Sequence, residues 1–305
     1  MLLRSTFNYL SRHRGLRRWA ETSAIARKLA GRFIAGNTLD EALAACGKIQ
    51  ADGLFTTLDY LGENVRTLEE AANGRDHCLK QLHALKEVGL EPNISVKLTQ
   101  LGLDLSEPAC EANLEALVEA AAKLGGFVRI DMESSDYTDR TIAMAMRLHR
   151  IHQGVCGTVM QSYLYRTVKD VKALSMAGIR VRLCKGAYSE KASVAFPNKL
   201  DVDRNFLSLT EDLIQFGKYP ALATHDEKMI AGVKEFSKNQ GTSKEKFEFQ
   251  MLYGIRRDLQ KRLVAEGYRV RIYVPYGEAW YPYFMRRLAE RPANLVFILR
   301  NMLRS

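Results

Sequence analysis

Long apolar runs are missing from this sequence. None reaches the roughly 18–20 residues that a membrane-spanning helix requires, and no compact apolar stretch with a small-residue cleavage site marks a secretory signal. No two cysteines are spaced as Cys-x-x-Cys; the five are Cys46, Cys78, Cys110, Cys156 and Cys184. Scattered thiols are typical of reduced, mostly buried cysteines. The sequence therefore predicts a cytoplasmic protein without a transmembrane span.

Two common kinds of ligand motif are also missing. No Gly-x-Gly-x-x-Gly or Walker sequence follows a predicted strand, so a Rossmann or P-loop site is not indicated. His149-x-x-His152 lies on a predicted helix, but no carboxylates stand near it at metal-ligand spacing. Such histidines are more often surface or packing residues than metal ligands. We expect no metal site.

Acidic residues are scarce in residues 1–32, which contain eight Arg or Lys and one Glu and carry +7 of the net charge of +10. In composition this basic arm resembles a mitochondrial transit sequence. Ile25, Leu29 and Phe33 recur at helical spacing, so it could instead lie on an anionic membrane or pack on the protein as a helix. No basic face interleaved with aromatics is present, so nucleic acid is not an expected partner.

The rest of the sequence alternates strand-like and helix-like stretches, within a composition ordinary for a globular protein. Helices are predicted at 66–90, 107–124, 138–152 and 167–177. Strands are predicted at 55–61, 94–98, 127–132, 157–163, 179–184, 221–224, 247–252 and 270–274. Strands separated by helices pair in parallel. The pattern predicts an α/β protein, a (βα)8 barrel at 51–305 with a basic helical N-terminal arm at 1–50, or alternatively an open doubly wound sheet.

Polar side chains collect at the predicted carboxyl ends of these strands, where barrels of this type carry their chemistry. They are Glu63, Lys97, Asp131, Glu133, Gln161, Arg182, Lys185, His225, Gln250 and Tyr273. Lys97 could be a Schiff-base amine as in an aldolase, a fixed cation, or the ion-pair partner of Asp131. His225 could be functional or structural. The turn from Lys185 to Tyr188 contains Gly186 and could admit a phosphate or a ring close to the backbone.

A short predicted helix at 283–290 follows the last strand and places Tyr283, Arg286, Arg287 and Glu290 on one side. Two adjacent guanidinium groups can bind one carboxylate through parallel, charge-assisted hydrogen bonds. A solvated basic face is the alternative. The position of the helix, directly after the eighth strand, favours a carboxylate clamp over the barrel mouth.

Several motifs occur together in one order. They are Leu61-Gly-Glu63, Ser95-Val-Lys-Leu98, Arg182-Leu-Cys-Lys-Gly-Ala-Tyr188, Ala223-Thr-His225, Phe249-Gln-Met-Leu-Tyr-Gly254 and Tyr283-Phe-Met-Arg-Arg-Leu-Ala-Glu290. From about residue 50 onward, the sequence resembles the flavin-dependent proline dehydrogenase family. That resemblance implies a distorted (βα)8 barrel that binds FAD and oxidises L-proline to Δ1-pyrroline-5-carboxylate. The electrons would pass to a membrane quinone.

The resemblance also implies roles for individual residues. Lys97, Asp131, Arg182 and Tyr273 would be catalytic. The substrate would be bound by Lys97, Leu252, Tyr273, Tyr283, Arg286, Arg287 and Glu290, with Glu63 as a gate reaching Arg286. FAD would be held by Gln161, Arg182, Cys184, Lys185, Gly186, Ala187, Tyr188, Thr224, His225 and Gln250.

Two other functions remain open at this point. One is a Schiff-base aldolase that uses Lys97 or Lys185 on the same barrel. The other is a non-enzymatic basic adaptor for anionic lipid. The favoured hypothesis is the flavoenzyme, located in the cytoplasm as a peripheral protein at the inner face of the membrane.

Overall fold

The structure, a computed structural model, describes residues 23, 30–62 and 65–290, with side chains as far as Met285. Its centre is a closed barrel of eight parallel strands in the order β1 to β8, in which β8 pairs with β1. The strands are β1 Phe55–Tyr60, β2 Asn93–Val96, β3 Phe127–Ile130, β4 Cys156–Gln161, β5 Arg180–Cys184, β6 Ala221–Ala223, β7 Glu248–Leu252 and β8 Val270–Tyr276. The predicted (βα)8 barrel is thereby confirmed.

Helices make the crossovers that parallel neighbours require. They are α1 Leu39–Ala51, α2 Leu68–Glu87, α3 Glu107–Leu124, α4 Thr138–Ile151, α5 Thr167–Met176, α6 Lys199–Phe216, α7 Glu227–Asn239, α8 Arg257–Ala265 and α9 Tyr281–Glu290. The side chains of Thr38, Thr67 and Ser106 cap α1, α2 and α3 by accepting a hydrogen bond from the backbone N–H three residues on. These caps satisfy donors that a helix start otherwise leaves unpaired. None of the described helices combines the length and the apolar character needed to cross a bilayer.

Buried charges lie in the half of the barrel near the start of the strands. The Arg271 guanidinium contacts Glu248 at 2.9 Å and also Glu91 at 3.0 Å. Burial alone would raise the pKa of Glu248, but the Arg271 charge and hydrogen bonds from Arg271 and Gln250 lower it to about 2. Glu248 is therefore ionised, and it balances part of the positive charge of this layer.

Residues before the barrel pack against it in two places. Helix α1 contributes Ala42 and Cys46 to the main core. Residues Ala30, Phe33 and Ile34 join a second apolar cluster with the start of α9. We call this second cluster the closing cluster; its buried members are Ala30, Phe33, Ile34, Leu61, Trp280, Tyr281, Tyr283 and Met285. The predicted domain division at residue 50 stays a prediction, and the arm before residue 30 lies outside the described residues apart from Ser23.

Candidate active site

The carboxyl ends of the strands bring a set of charged side chains together inside the barrel. Asp59 lies on β1, Lys97 follows β2, and Asp131 follows β3. Arg182 lies on β5 and Tyr273 on β8. Because β2 lies beside β1 and β3, the residues that end these strands point into a shared space.

Lys97 is the centre of the first half of this network. Its Nζ lies 3.0 Å from Oδ1 of Asp59, which is fully buried, and 3.7 Å from Oδ2 of Asp131. It also donates to the hydroxyl of Tyr273 at 3.3 Å. The lysine amine is thus held as a fixed cation between two carboxylates.

Arg182 is the centre of the second half. It donates to Oδ1 of Asp131 at 2.6 Å and to Oγ of Ser95 at 2.9 Å. Tyr273 donates to the other oxygen of Asp131 at 2.7 Å, and the Arg182 guanidinium lies 5.3 Å from the centre of the Tyr273 ring. Both oxygens of Asp131 are therefore occupied, which fixes the direction of the arginine.

The network balances two cations against two carboxylates. Burial raises the pKa of Asp59, an effect that the Lys97 charge opposes and the Asp131 charge reinforces. Burial and the charges of Asp131 and Asp59 also raise the pKa of Tyr273 well above its ordinary value. Tyr273 therefore keeps its proton at neutral pH and remains a hydrogen-bond donor.

Lys97, Asp131, Arg182 and Tyr273 of the network line a cavity of about 440 Å³ that opens at the barrel mouth. This volume is within the range of small-molecule sites. Every residue to which the resemblance gives a site role, and whose side chain the structure describes, lines it: Lys97, Asp131, Gln161, Arg182, Cys184, Lys185, Gly186, Ala187, Tyr188, Thr224, His225, Gln250, Leu252, Tyr273 and Tyr283. Glu133, also predicted at a strand end, does not line this cavity; its carboxylate accepts hydrogen bonds from the backbone N–H and the hydroxyl of Thr99. Glu63 and the side chains of Arg286, Arg287 and Glu290 lie outside the described residues, although the backbone of α9 continues to residue 290.

The loop after β5 forms one wall of the cavity. Gly186 has a φ of +108°, and a Cβ atom there would lie 2.4 Å from the Tyr163 ring. Only glycine fits such a position without strain. Where it lines the cavity, the loop can therefore pack closely against Tyr163.

Lys185 beside this glycine is not a free cation. Its Nζ lies 2.5 Å from Asp203 on α6 and 2.9 Å from Asp226, the residue that caps α7. Lys199 pairs with the same two carboxylates, so two lysines and two aspartates balance one another and Lys185 offers less attraction to an anion than the sequence suggested. His225 is held by the backbone, since the N–H of Leu252 donates to its Nε2 at 2.9 Å.

The sequence did not identify Asp59 or Ser95 as site residues. Asp59 lies inside the predicted strand 55–61, where it is the one charged residue. That isolated buried charge is the signal that could have found it, because a charge inside a barrel strand requires a partner. The expected pairing of Lys97 with Asp131 is present, but Asp59 lies closer to Lys97.

Fold and site together define an enzyme of the (βα)8-barrel class with its chemistry at the carboxyl ends of the strands. The sequence profile of the family described as proline dehydrogenase matches residues 42–300. The chain is 41% identical over 303 residues to proline dehydrogenase 1 of Bacillus subtilis, covering 99% of this chain and 100% of that protein. It is also 41% identical over 280 residues to the proline dehydrogenase of Deinococcus radiodurans, covering 90% of each chain. The chain belongs to the proline dehydrogenase family.

A solved structure agrees with this assignment. Proline utilization A from Bdellovibrio bacteriovorus, inactivated by N-propargylglycine, superposes with a TM-score of 0.81 at 27% identity. The match covers 86% of this chain and 32% of that longer protein. The resemblance read from the motifs is confirmed, and the comparisons do not support the aldolase alternative.

Proposed function

We propose that this chain oxidises L-proline to Δ1-pyrroline-5-carboxylate with FAD as its cofactor. The observation that carries the proposal is the network of Lys97, Asp59, Asp131, Arg182 and Tyr273 in the mouth of a proline dehydrogenase barrel. The relatives with nearly full coverage are named proline dehydrogenases.

The cavity fits a flavin nucleotide. Oε1 of Gln161, Oε1 of Gln250 and Nε of Arg182 are buried without a hydrogen-bond partner in the described part of the protein. A ring system rich in donors and acceptors would satisfy such atoms. FAD would be held by Gln161, Arg182, Cys184, Lys185, Gly186, Ala187, Tyr188, Thr224, His225 and Gln250. When bound, the flavin supplies the two-electron acceptor for the substrate.

The substrate would lie between the network and α9. Arg286 and Arg287 would bind the carboxylate, supported by Glu290, since paired guanidinium groups recognise carboxylates through two parallel hydrogen bonds. Glu63 would close over the bound substrate by reaching Arg286. Leu252 and Tyr283 would cover the ring of the substrate and exclude water. Such alignment supplies much of the rate enhancement in a reaction whose electronic work is done by the cofactor.

The network residues would fix charge and position. Asp131 and Ser95 hold the Arg182 guanidinium, so the arginine can place a cation beside the flavin without reorganising. Asp59 and Asp131 hold Lys97, and this placement suits a positioning cation better than a Schiff-base amine. Tyr273 presents a protonated hydroxyl that joins both halves of the network.

The visible spectrum of the purified protein tests cofactor and substrate together. We expect a yellow protein whose flavin absorption bleaches when L-proline is added without oxygen. A colourless protein that does not take up FAD would overturn the cofactor assignment. A flavin that L-proline leaves oxidised would overturn the substrate assignment.

The carboxylate clamp is tested by Arg286→Lys and Arg287→Lys. Each change removes a bidentate contact, so we expect KM for L-proline to rise by about 10-fold or more with a smaller effect on kcat. Arg204→Lys on the exposed face of α6 is the control. Unchanged KM in both variants would show that α9 does not bind the carboxylate.

We further propose that a membrane quinone accepts the electrons and that the basic arm brings the cytoplasmic protein to anionic lipid at the inner face of the membrane. Basic segments bind such surfaces by about 1 kcal/mol for each Lys or Arg near the surface. Co-sedimentation with phosphatidylglycerol vesicles should fall when Arg12, Arg14, Arg17 and Arg18 are all replaced by Gln. Equal binding of the two proteins would dismiss this role for the arm.

A further inference from the structure

The barrel has a second cavity, at the amino-terminal ends of the strands and opposite the mouth. Its volume is about 1220 Å³. Among the described residues, Glu91 is the only carboxylate that lines it. The basic residues in its wall are Arg147, Arg150, Arg180, Lys218, Arg269 and Arg271. We call this space the floor cavity.

Two of these arginines are stacked between aromatic rings. The Arg180 guanidinium lies 4.2 Å from the centre of the Phe127 ring and 4.7 Å from that of Tyr219. The Arg269 guanidinium lies 4.4 Å from Phe55 and 5.6 Å from Tyr219. Aromatic rings and guanidinium groups therefore alternate through five side chains from three strands and two loops, in the order Phe127, Arg180, Tyr219, Arg269 and Phe55. This stacking fixes the planes of both guanidinium groups and leaves their N–H edges available.

The side-chain N–H groups of Arg180 and Arg269 have no hydrogen-bond acceptor among the described residues. In the part of the chain that the structure describes, neither Arg180 nor Arg269 forms an ion pair or donates a side-chain hydrogen bond, and the Nε of each is buried. Arg271 next to them is paired with Glu248 and Glu91. Only Nε of Arg180 and of Arg269 is buried; both of these side chains are half-buried, so their terminal N–H groups can be reached from the cavity and are available to an anionic ligand.

Tyr219, the central ring of the stack, has a strained backbone. Its φ of +45° lies in the left-handed region, which is unusual for a residue other than glycine. Its hydroxyl donates to Oε2 of Glu248 at 3.1 Å, which holds the ring between the two arginines. Strain of this kind persists where surrounding contacts impose it and is frequent at ligand sites.

We propose that the floor cavity binds a small phosphate-bearing molecule through the N–H edges of Arg180 and Arg269, with Lys218 at its rim. Arg147 and Arg271 are neutralised by glutamates, but Arg150, Arg180, Lys218 and Arg269 form no ion pair among the described residues. Guanidinium forks match phosphate oxygens in geometry, and four such cations favour a ligand with more than one negative charge. The site is separate from the mouth, because Arg180 begins β5 whereas Cys184 at the mouth ends it.

Calorimetric titration with inorganic pyrophosphate tests the proposal. The protein would be full-length and loaded with FAD, so that the cofactor region of the mouth is occupied, and potassium chloride would hold ionic strength constant. We expect saturable binding to the unaltered protein. Arg180→Gln and Arg269→Gln should each weaken it by about 10-fold or more, since each removes charge-assisted hydrogen bonds.

Lys172→Gln, an exposed lysine on α5 away from the floor cavity, should leave the affinity unchanged. Lys218→Gln tests the same site if the arginine variants do not fold, because Lys218 is exposed and its loss leaves the stack intact. No saturable heat with the unaltered protein would overturn the proposal. So would equal affinities for the unaltered protein and the cavity variants.

Discussion

At the scale of single residues, several charges inside the barrel lie in sets that balance one another. Lys97 and Arg182 face Asp59 and Asp131 at the mouth, and Arg271 faces Glu248 nearer the floor. Buried ion pairs add little net stability, but removal of one member leaves a charge without its partner. Function and stability should therefore respond strongly to single neutralising substitutions.

Asp59→Asn tests the carboxylate that the sequence did not reveal. The amide keeps the shape of the side chain but removes the charge that holds Lys97, so the lysine should shift toward Asp131. We expect kcat/KM for L-proline to fall by about 10- to 100-fold, as small misplacements in an active site do. Asp40→Asn on the exposed face of α1 should have no effect. Steady-state kinetics would show Asp59 to be dispensable if both variants matched the unaltered protein.

Glu248 gives a pH dependence of stability. Its pKa of about 2 in the folded protein is below the ordinary value of 4.5. The ionised carboxylate therefore stabilises the folded protein fully above pH 4.5, and this stabilisation is lost as the pH falls from 4.5 toward 2. The difference corresponds to about 3 kcal/mol of unfolding free energy. Urea unfolding between pH 7 and pH 3 should show this loss.

Glu248→Gln should lower the unfolding free energy at pH 7 by about 3–5 kcal/mol, since it leaves Arg271 with Glu91 alone. It should also flatten the acid-side dependence. Glu235→Gln, at an exposed position on α7, should behave as the unaltered protein. An unchanged pH profile in Glu248→Gln would show that this carboxylate does not control acid stability.

At the scale of elements, the strands were predictable because they are short, apolar and separated by helical stretches. Each predicted strand begins and ends within two residues of the observed one. Strand β8 is longer than predicted: it continues to Tyr276 because its last residues pair with Asp59 and Tyr60 of β1. That pairing depends on barrel closure, which local sequence does not encode.

The sequence could not predict the contacts within the site that join distant elements of the fold. Lys185 was predicted from its place after β5, but Asp203 and Asp226, which neutralise it, come from α6 and the start of α7. The cation stacking around Tyr219 similarly depends on rings from different strands. Patterns along one segment reveal which element carries a polar residue, whereas its partners are set by the tertiary fold.

Gly186→Ala tests the loop after β5. The added Cβ would meet the Tyr163 ring at 2.4 Å, and the backbone φ of +108° is strained for alanine. We expect the purified variant to retain less FAD. Gly89→Ala is a matched control, because its φ is also positive, at +72°, but nothing lies within 4 Å of the added Cβ. Equal flavin content in both variants would show that the Gly186 loop does not support the cofactor.

At the scale of the whole molecule, the closing cluster joins distant parts of the chain beside the mouth. Phe33 lies 5.9 Å from Phe284, ring centre to ring centre, and Tyr283 belongs both to this cluster and to the cavity lining. Residues 30–34 are therefore part of the support of α9. Whatever the preceding residues do, this short segment has a packing role.

Phe33→Ala should loosen α9 and so raise KM for L-proline several-fold, along with a loss of stability of about 3–5 kcal/mol. Phe247→Ala removes an equally buried ring from the main core, at the residue before β7. It should lower the melting temperature similarly and leave KM unchanged. The two variants separate support of the mouth from general stability, and equal KM values would contradict that role for Phe33.

The closing cluster has a consequence for biosynthesis. During translation, residues 30–34 emerge early, whereas Trp280 and Tyr281, which pack on them, are made more than two hundred residues later. Contacts of such long sequence separation form late, because the intervening chain must be ordered first. A nascent or prematurely terminated chain can begin to form strands. It cannot pack helix α9 against residues 30–34, so it should not form a mouth that binds the substrate.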